Sequence, residues 1–232
     1  MKQEELFSSL EVGFIRKSEL SAGDYSVTVA TRLDCVPFIM GIHYARRWPS
    51  ISHAFALRRG GLIVGVVTYG VPFSSTLRNG IAGEGLADSV LELNRLCLLD
   101  NLPNEASRLV SASLKLLPSK KIIVSFADTE QNHIGTVYQA CNFSYHGLSA
   151  AFKDYAVRGL EHMHHSSIED SVGRYDKDPS LNKKAALIAR YGDRLYMKER
   201  ARKHRYVYLC GPKMWRKRTR KHINYAQQPY PK

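Results

Sequence analysis

Apolar and polar positions alternate along several short stretches of the chain, and this period of two predicts β-strands. The predicted strands cover residues 25–33, 90–100, 120–128, 144–149 and 205–211. Two apolar runs on either side of Gly60 and Gly61 predict a β-hairpin over residues 53–72. A glycine-rich loop is predicted between this hairpin and the strand that starts at residue 90.

Apolar residues spaced three and four positions apart predict helices in three other stretches. These helices cover residues 35–49, 103–117 and 135–143. Pro49 is expected to end the first helix, and Asn104 is a candidate N-cap of the second. In that second helix, Leu109, Ala112 and Leu116 are expected to share the buried face.

The predicted order of elements is β-α-β-β-β-α-β-α-β, followed by a less regular stretch and a last strand. This order predicts an α+β fold with a mixed central sheet flanked by helices. Residues 1–155 are expected to form the core, and residues 204–232 its terminal strand with a basic tail. Residues 156–203 are expected to be an inserted segment that lines a binding face, because long connections in compact domains are usually functional. The insertion includes a predicted helix over residues 181–203.

Composition indicates a folded, soluble, intracellular protein with no membrane partner. The hydrophobic fraction of 44% and the charged fraction of 24% are typical of globular domains. No apolar run approaches the roughly 20 residues that a membrane span requires. Residues 1–14 lack the apolar centre of a secretory signal. The four cysteines form no C-x-x-C pair, which argues against a zinc ribbon and against a disulfide framework.

Positive charge is concentrated near the end of the chain. Residues 198–221 contain eleven Lys or Arg residues and one acid, Glu199, so this segment carries +10 of the net charge of +13. A polyanion such as DNA is the expected partner, and a solvated tail is the alternative. Interleaved aromatic residues suit contact with exposed bases, or else strand packing: Tyr206, Tyr208, Trp215 and Tyr225.

Four stretches of the chain together resemble one protein family. HYARRWPS (43–50), ELNRLCLLDNLPNEASRLVSASLKLL (92–117), SFADTEQNHIGTVYQACNF (125–143) and KHRYVYLCGPK (203–213) are similar to the Mom family of DNA-modification proteins of Mu-like phages. That family falls in the GNAT (N-acetyltransferase-like) superfamily, so the resemblance implies a GNAT-like catalytic core with an acyl donor between two splayed strands. It also implies conversion of adenine N6 in DNA to N6-carbamoylmethyladenine in the cytoplasm of a host bacterial cell, which protects phage DNA from restriction.

The donor is left open by one departure from the GNAT pattern. GNAT enzymes hold the pyrophosphate of coenzyme A at a glycine-containing turn, and the matching stretch DNLPNEASRL (100–109) has no glycine. A helix N-terminus there still attracts an anion, and Ser107 and Arg108 are candidates for binding donor phosphate. Acetyl-CoA and aminoacyl-tRNA are therefore both expected donors, with coenzyme A or tRNA as the corresponding partner.

Asp128 and Tyr138 are the first two candidate catalytic residues. Asp128 ends a predicted central strand, where ligands of α/β sheets usually bind. Its carboxylate can take a proton from the adenine amine or bind a metal, or it can simply cap the next turn. The resemblance implies that Tyr138 donates a proton to the leaving group, and a buried core tyrosine is the alternative.

The resemblance also places His43 and Tyr44 in the active site, where they would bind iron together with Asp128. His133 is a candidate second histidine, because two histidines and a carboxylate suffice for an open iron site. Arg95 lies on the same face of its predicted strand as Leu93 and Cys97, so it needs a partner. That partner is Asp128, a neighbour of Glu92, or an acidic group of a ligand.

The candidate DNA-binding residues fall in two stretches. Arg46 and Arg47 stand beside Trp48, which combines charge with a stacking surface. The others lie in the basic segment: Arg205, Lys213, Arg216, Lys217, Arg218, Arg220 and Lys221. A homodimer is the candidate assembly. Two further functions stay open, namely a GNAT acyltransferase for a small amine or a protein, and a non-catalytic nucleic-acid-binding protein.

Overall fold

A computed structural model describes residues 25–163, 165–173 and 182–232. The strands of these residues are β1 (Tyr25–Val29), β2 (His53–Arg59), β3 (Leu62–Gly70), β4 (Val90–Leu98), β5 (Lys121–Asp128), β6 (Ser144–Leu148), β7 (Phe152–Val157), β8 (Leu195–Arg200) and β9 (Lys203–Cys210). The α-helices are α1 (Arg32–Val36), α2 (Ser75–Ala82), α3 (Glu105–Leu116), α4 (Thr136–Ala140), α5 (His165–Gly173), α6 (Lys183–Tyr191) and α7 (Lys213–Arg220). The predicted class is confirmed: helices combine with mostly antiparallel strands.

The described chain forms two compact units. The first contains the described residues up to Phe73 and Leu91–Ser119, and the second contains Ser74–Val90 and the described residues from Lys120 to Lys232. The boundaries predicted at residues 155/156 and 203/204 stay predictions. Within the described residues, no helix is long and apolar enough to span a membrane. Residues 1–14, which the sequence predicts not to be a secretory signal, lie outside the described residues.

The sheet of the first unit follows the order β1-β2-β3-β4, with antiparallel pairing between successive strands from β1 to β4. The predicted hairpin of β2 and β3 is confirmed, and it turns at Gly60 and Gly61 with φ of 57° and 84°. Glycine adopts this left-handed region without the steric cost that a Cβ imposes. Core residues on this sheet, on α1 and on the turn that follows α1 include Cys35, Ile39 and Cys97.

Two predicted boundaries in the first unit are wrong. β1 ends at Val29 because Thr31 caps α1: the Thr31 hydroxyl accepts from the Asp34 N–H, and the Asp34 carboxylate accepts from the Thr31 N–H. The helix predicted over residues 35–49 starts earlier, at Arg32, and continues as a π-helical turn that ends at Ile42. The chain then becomes irregular, so Pro49 does not end the helix.

The buried face of α3 also differs from the prediction. Leu109, Val110, Ser113 and Leu114 are buried, whereas Leu116 is exposed. Asn104 occupies the N-cap position, but it is left-handed and its side chain makes no capping bond.

The first turn of α3 is held by Glu105, which is only 1% exposed. The Glu105 carboxylate accepts from the Leu102 N–H at 3.0 Å and from the Tyr25 hydroxyl at 2.9 Å, and it pairs with Arg59 at 2.9 Å. Arg59 also pairs with Asp100 at 2.7 Å. These charges are buried but paired, so the cluster ties β1 and β2 to the start of α3.

The sheet of the second unit has the order β5-β9-β6, again antiparallel. Ile81 of α2 packs with Ile122, Val124 and Val207 in its core. The glycine-rich loop predicted between residues 72 and 90 is wrong, because α2 covers Ser75–Ala82 and a 3-10 helix covers Glu84–Ser89.

The region between β6 and β9 contains the antiparallel pair β7 and β8, which are joined through α5 and α6. Its core includes Val157, Ile168, Val172 and Leu187. The helix predicted over residues 181–203 is wrong beyond α6: Gly192, with φ of 52°, follows Tyr191, and Leu195–Arg200 pair with β7. Cross-strand pairing overrides the helical propensity of Met, Lys, Glu and Arg in that stretch. Leu181, the first residue of the prediction, lies outside the described residues.

The basic run after β9 is the helix α7 and not an extended segment. Thr219 is buried and Trp215 is partly buried, four positions apart on one face. The chain that follows packs on β6: the Gln228 N–H donates to the Tyr145 carbonyl at 2.9 Å, and the Tyr230 hydroxyl donates to the Phe143 carbonyl at 2.7 Å. These two bonds hold the segment after α7 against the sheet of the second unit.

Stability is expected to fall on acidification because of His146, which is 7% exposed and donates from Nδ1 to the Tyr225 carbonyl at 2.7 Å. Burial, and secondarily the charge of Arg205, lowers the pKa of His146 below its ordinary value of 6.5, although the bond to Tyr225 opposes this. The unfolded chain therefore takes up a proton near the ordinary pKa, whereas the folded protein does so only at lower pH. Stability is complete above that ordinary value and is lost as the pH falls towards the folded-state pKa.

Urea denaturation at about pH 7 and about pH 5 measures this loss of stability. A single such group contributes about 1 kcal/mol for each unit by which its folded-state and unfolded-state pKa values differ. We expect His146→Asn to lose less stability on acidification than the parent protein does. The control is His222→Asn, at an exposed histidine of the same unit. Equal losses in the His146 variant and the parent would contradict the assignment.

Candidate active site

Asp128 lies at the end of β5 in the second unit and is 9% exposed. Its Oδ1 accepts from the Glu130 N–H at 3.0 Å, so the carboxylate caps the turn after the strand. Its Oδ2 forms an ion pair with Lys203 Nζ at 2.9 Å. The capping role is therefore present, and the second oxygen is held by a cation.

Lys203 was not among the residues singled out from the sequence. It contacts Asp128 because β5 and β9 are antiparallel and the two residues are directly opposite in the register. They are 75 positions apart in the sequence (203 minus 128), so no local pattern connects them. Only the pairing of β9 with β5 reveals this partner.

Tyr138 is buried in α4 and has aromatic neighbours on the second unit's sheet. Its ring centroid lies 5.5 Å from that of Phe143 and 5.4 Å from that of Tyr206. The Tyr206 hydroxyl donates to the Ile134 carbonyl at the start of this region, and Gln139 Nε2 donates to Tyr206 Oη at 3.1 Å. Tyr138 thus has the packing of a core aromatic residue, and its catalytic role stays a proposal.

Gly135→Ala is expected to displace α4 and to lower the free energy of unfolding by about 2–4 kcal/mol. Gly135 has φ of 79°, and a Cβ there would lie 2.3 Å from the Tyr206 ring. Gly83→Ala is the matched control, because Gly83 has φ of 76° but open space around the added Cβ. Denaturation of both variants separates the backbone cost from the clash, and equal effects would show that the Tyr206 contact contributes nothing.

His43 and Tyr44 lie in the first unit, immediately after the π-helical turn. Their rings stack with centroids 4.5 Å apart, and Tyr44 is 55% exposed. The Ala45 N–H donates to His43 Nδ1 at 3.0 Å, so in the neutral ring Nε2 carries the proton. The lone pair of Nδ1 is therefore already used within the protein.

Arg95 and Asn94 of β4 hold the segment that follows His43. The Arg95 guanidinium donates to the Arg47 carbonyl at 2.8 Å, and Asn94 Nδ2 donates to the Ser50 carbonyl at 2.7 Å. Asn94 Oδ1 in turn accepts from the Thr68 hydroxyl at 2.6 Å. Burial lowers the pKa of Arg95, although its interaction with Tyr44 opposes this.

The Arg95 guanidinium therefore donates to main-chain carbonyls, including that of Asn94 at 2.6 Å. The partner predicted from the sequence is instead a carboxylate or an acidic group of a ligand. Asn94 is a further residue that sequence reasoning missed. The charge of Arg95 identifies that residue as a candidate from the sequence. No sequence pattern predicts that a strand asparagine such as Asn94 will bond to a distant carbonyl.

The residues expected to bind iron do not assemble into a metal site. Among the described residues, no group of three or more His, Cys, Asp or Glu side chains is placed to hold a metal ion. His133 is exposed, and His43 Nδ1 and both Asp128 oxygens have the partners given above. The side chains present therefore do not fit the expected iron, and no step below is assigned to it.

The two candidate donor-binding residues lie in the first turn of α3. The Ser107 hydroxyl donates to the Asn104 carbonyl at 3.2 Å. The exposed Arg108 places its guanidinium over the Tyr25 ring, 4.7 Å from the centroid. The nearby Glu105 carboxylate is buried and paired with Arg59, so Arg108 is the exposed charge that an anion at this turn would meet among the described residues of that turn.

The candidate DNA-binding residues fall into two environments. The cations of α7 and its C-cap are all exposed: Lys213, Arg216, Lys217, Arg218, Arg220 and Lys221. Arg46 is exposed as well, and Arg47 is partly buried.

Arg205 differs from these surface cations because it is 6% exposed. Its guanidinium lies 3.6 Å from the centroid of the Tyr225 ring and donates to the His146 carbonyl at 3.1 Å. Burial lowers the pKa of Arg205. These contacts fix the chain after α7 to β9.

Comparison with known proteins identifies the family. Residues 24–232 match the model described as the Mom protein family. The chain therefore belongs to the Mom protein family. It is 30% identical over 203 residues to "Methylcarbamoylase mom" of Escherichia phage Mu, which covers 82% of this chain and 76% of that relative.

Solved structures with similar folds are more distant. An acetyltransferase of the GNAT family from Bacillus cereus ATCC 10987 shares 12% identity with a TM-score of 0.40, over 81% of this chain and 98% of that chain. An N-acetyltransferase from Staphylococcus aureus Mu50 shares 10% identity with a TM-score of 0.43, over 81% of this chain and 99% of that chain. The conclusions below rest on the family and on the geometry of this chain.

Proposed function

We propose that the protein is a transferase that converts adenine N6 in DNA to N6-carbamoylmethyladenine and so protects phage DNA from restriction. The observation that carries the proposal is the family match over residues 24–232, together with a relative named as a methylcarbamoylase. The geometry of Asp128 and the exposed cations of α7 support it independently.

Asp128 is the proposed general base. In the product, N6 is bonded to the methylene carbon of the carbamoylmethyl group, so one N6 proton must leave. The Asp128 carboxylate is held by the Glu130 N–H and by Lys203, so its orientation is set before the substrate binds. A carboxylate at a strand end is a suitable acceptor for that proton.

Further residues are proposed to act on the donor or to shape the active site. Tyr138 is proposed to donate a proton to the leaving group, and His43 and Tyr44 to line the site. Arg95 positions their segment through the Arg47 carbonyl. Acetyl-CoA and aminoacyl-tRNA are the candidate donors, with Ser107 and Arg108 proposed to bind donor phosphate. Acyl transfer alone would bond N6 to a carbonyl carbon, so the methylene-linked product requires in addition the rearrangement of a transferred glycyl group, or an amide nitrogen and a two-electron oxidant if the donor is acetyl-CoA.

DNA is proposed to bind through the exposed cations of α7 and through Arg46 and Arg47. The helix presents its basic residues to solvent while Thr219 and Trp215 face the protein. Such a surface releases condensed counterions from DNA on binding, which supplies affinity without regard to sequence.

Nucleoside mass spectrometry on plasmid DNA from bacteria expressing this protein tests the reaction. The expected result is a new adenosine with the added mass of a carbamoylmethyl group, absent from cells with an empty vector. Unmodified DNA combined with acyl transfer to an amine or protein would favour an ordinary GNAT acyltransferase. Unmodified DNA with retained DNA binding and no transfer would favour a non-catalytic binding protein.

A further inference from the structure

The first unit contains a cavity of about 420 Å³ to which no role has been assigned above. It lies where β1 ends and α1 begins, beside the start of β2. Its lining includes Thr31, Arg32, Trp48, Ser52, His53 and Phe55. The volume is in the range of small-ligand sites, roughly 300–1,000 Å³.

The chemistry of the lining favours a planar, uncharged or anionic group. The Arg32 guanidinium lies over the Trp48 ring, 4.4 Å from its centroid, and Arg32 is exposed. His53 and Ser52 add polar groups, and none of the described lining residues is Asp or Glu. Indole and guanidinium planes are the surfaces on which proteins stack unpaired bases.

One lining residue of the cavity, Trp48, is next in the sequence to two cations that are proposed to bind DNA. Trp48 directly follows Arg46 and Arg47, and the segment is anchored to β4 through Arg95 and Asn94. A DNA strand that contacts these two arginines would therefore lie near Trp48, because Arg95 and Asn94 hold this segment in place. None of the five residues proposed to act in the reaction belongs to the described lining of the cavity.

We propose that this cavity binds an unpaired nucleobase of the DNA strand that carries the target adenine, at a nucleotide other than the target itself. The assignment rests on the proposed function, since it takes DNA as the substrate. It goes further by giving the protein a preference for strands with exposed bases and by naming Arg32 and Trp48 as the stacking pair. A duplex must then open locally to occupy the site.

Tryptophan fluorescence tests the assignment directly. The chain has two tryptophans, so Trp215→Phe leaves Trp48 as the only reporter. Single-stranded DNA and the fully paired duplex of the same sequence are titrated against this protein, with no donor present. We expect the single strand to quench Trp48 emission and the duplex to do so at most weakly.

Arg32→Gln in the same background is expected to weaken single-strand binding about tenfold, within the range for loss of one stacking contact, and to change duplex binding less than about twofold. It leaves the apolar core untouched, unlike a change at Trp48, which packs against the first unit's core. The control is Arg58→Gln: the Arg58 guanidinium contacts Thr28 and Gly61 and does not belong to the cavity lining.

Binding of the single strand without a change in Trp48 emission would overturn the assignment. Equal losses of single-strand and duplex binding in Arg32→Gln would overturn it too, as would stronger quenching by RNA of the same sequence. Failure of the proposed reaction is distinguishable, because it would appear as unmodified cellular DNA while selective quenching by single-stranded DNA persisted.

Discussion

Asp128→Asn is expected to abolish adenine modification, with a loss of at least about a hundredfold, which is the lower range for removing a general base. The amide keeps the size of the side chain and can still accept from the Glu130 N–H. It cannot take up the N6 proton, and it loses the charge that pairs with Lys203. The measurement is the modified fraction of adenosine in plasmid DNA from cells that express equal amounts of parent and variant.

The matched control for Asp128→Asn is Glu130→Gln. The Glu130 carboxylate is exposed and, within the described part of the chain, pairs with the exposed Lys198 at 3.5 Å, while its backbone N–H makes the bond to Asp128. We expect this variant to modify DNA like the parent. DNA binding should be unchanged in Asp128→Asn, and modification at the parental level by that variant would remove Asp128 from the mechanism.

Neutralising the cations of α7 is expected to weaken DNA binding by about two orders of magnitude at low salt. The changes are to glutamine at Arg216, Lys217, Arg218, Arg220 and Lys221. Each phosphate contact contributes about 0.9 to the magnitude of the slope of log affinity against log salt, so losing five contacts lowers that magnitude by up to about 4.5. Titrations of a labelled duplex at several salt concentrations measure both quantities.

The control for the α7 variant separates local contacts from overall charge. Lys153→Gln combined with Lys184→Gln removes two exposed cations from the β7–β8 region and leaves α7 intact. We expect it to change the slope by less than about 1, since these residues are not proposed to contact phosphate. A parental slope in the α7 variant would mean that α7 does not contact the DNA.

Local patterns predicted much of the fold because the forces behind them act over a few residues. The β2–β3 hairpin follows from two apolar runs and the conformational freedom of Gly60 and Gly61. β5 follows from an apolar run, broken by Ser125, that ends in Asp128. The strand over residues 195–200 was predicted as helix because its residues favour helices in isolation, and only pairing with β7 makes them a strand.

Three properties can be read from the order of residues without a structure: the fold class, the concentration of positive charge near the end of the chain, and the family that four separate stretches resemble. The tertiary structure alone decided which groups meet: Lys203 pairs with Asp128 through the β5–β9 register, and Arg95 binds the Arg47 carbonyl. It also decided that the basic run is a helix with Trp215 and Thr219 inward. Charge and periodicity are properties of neighbouring residues, whereas these contacts join positions far apart in the chain, and only the packed fold brings such positions together.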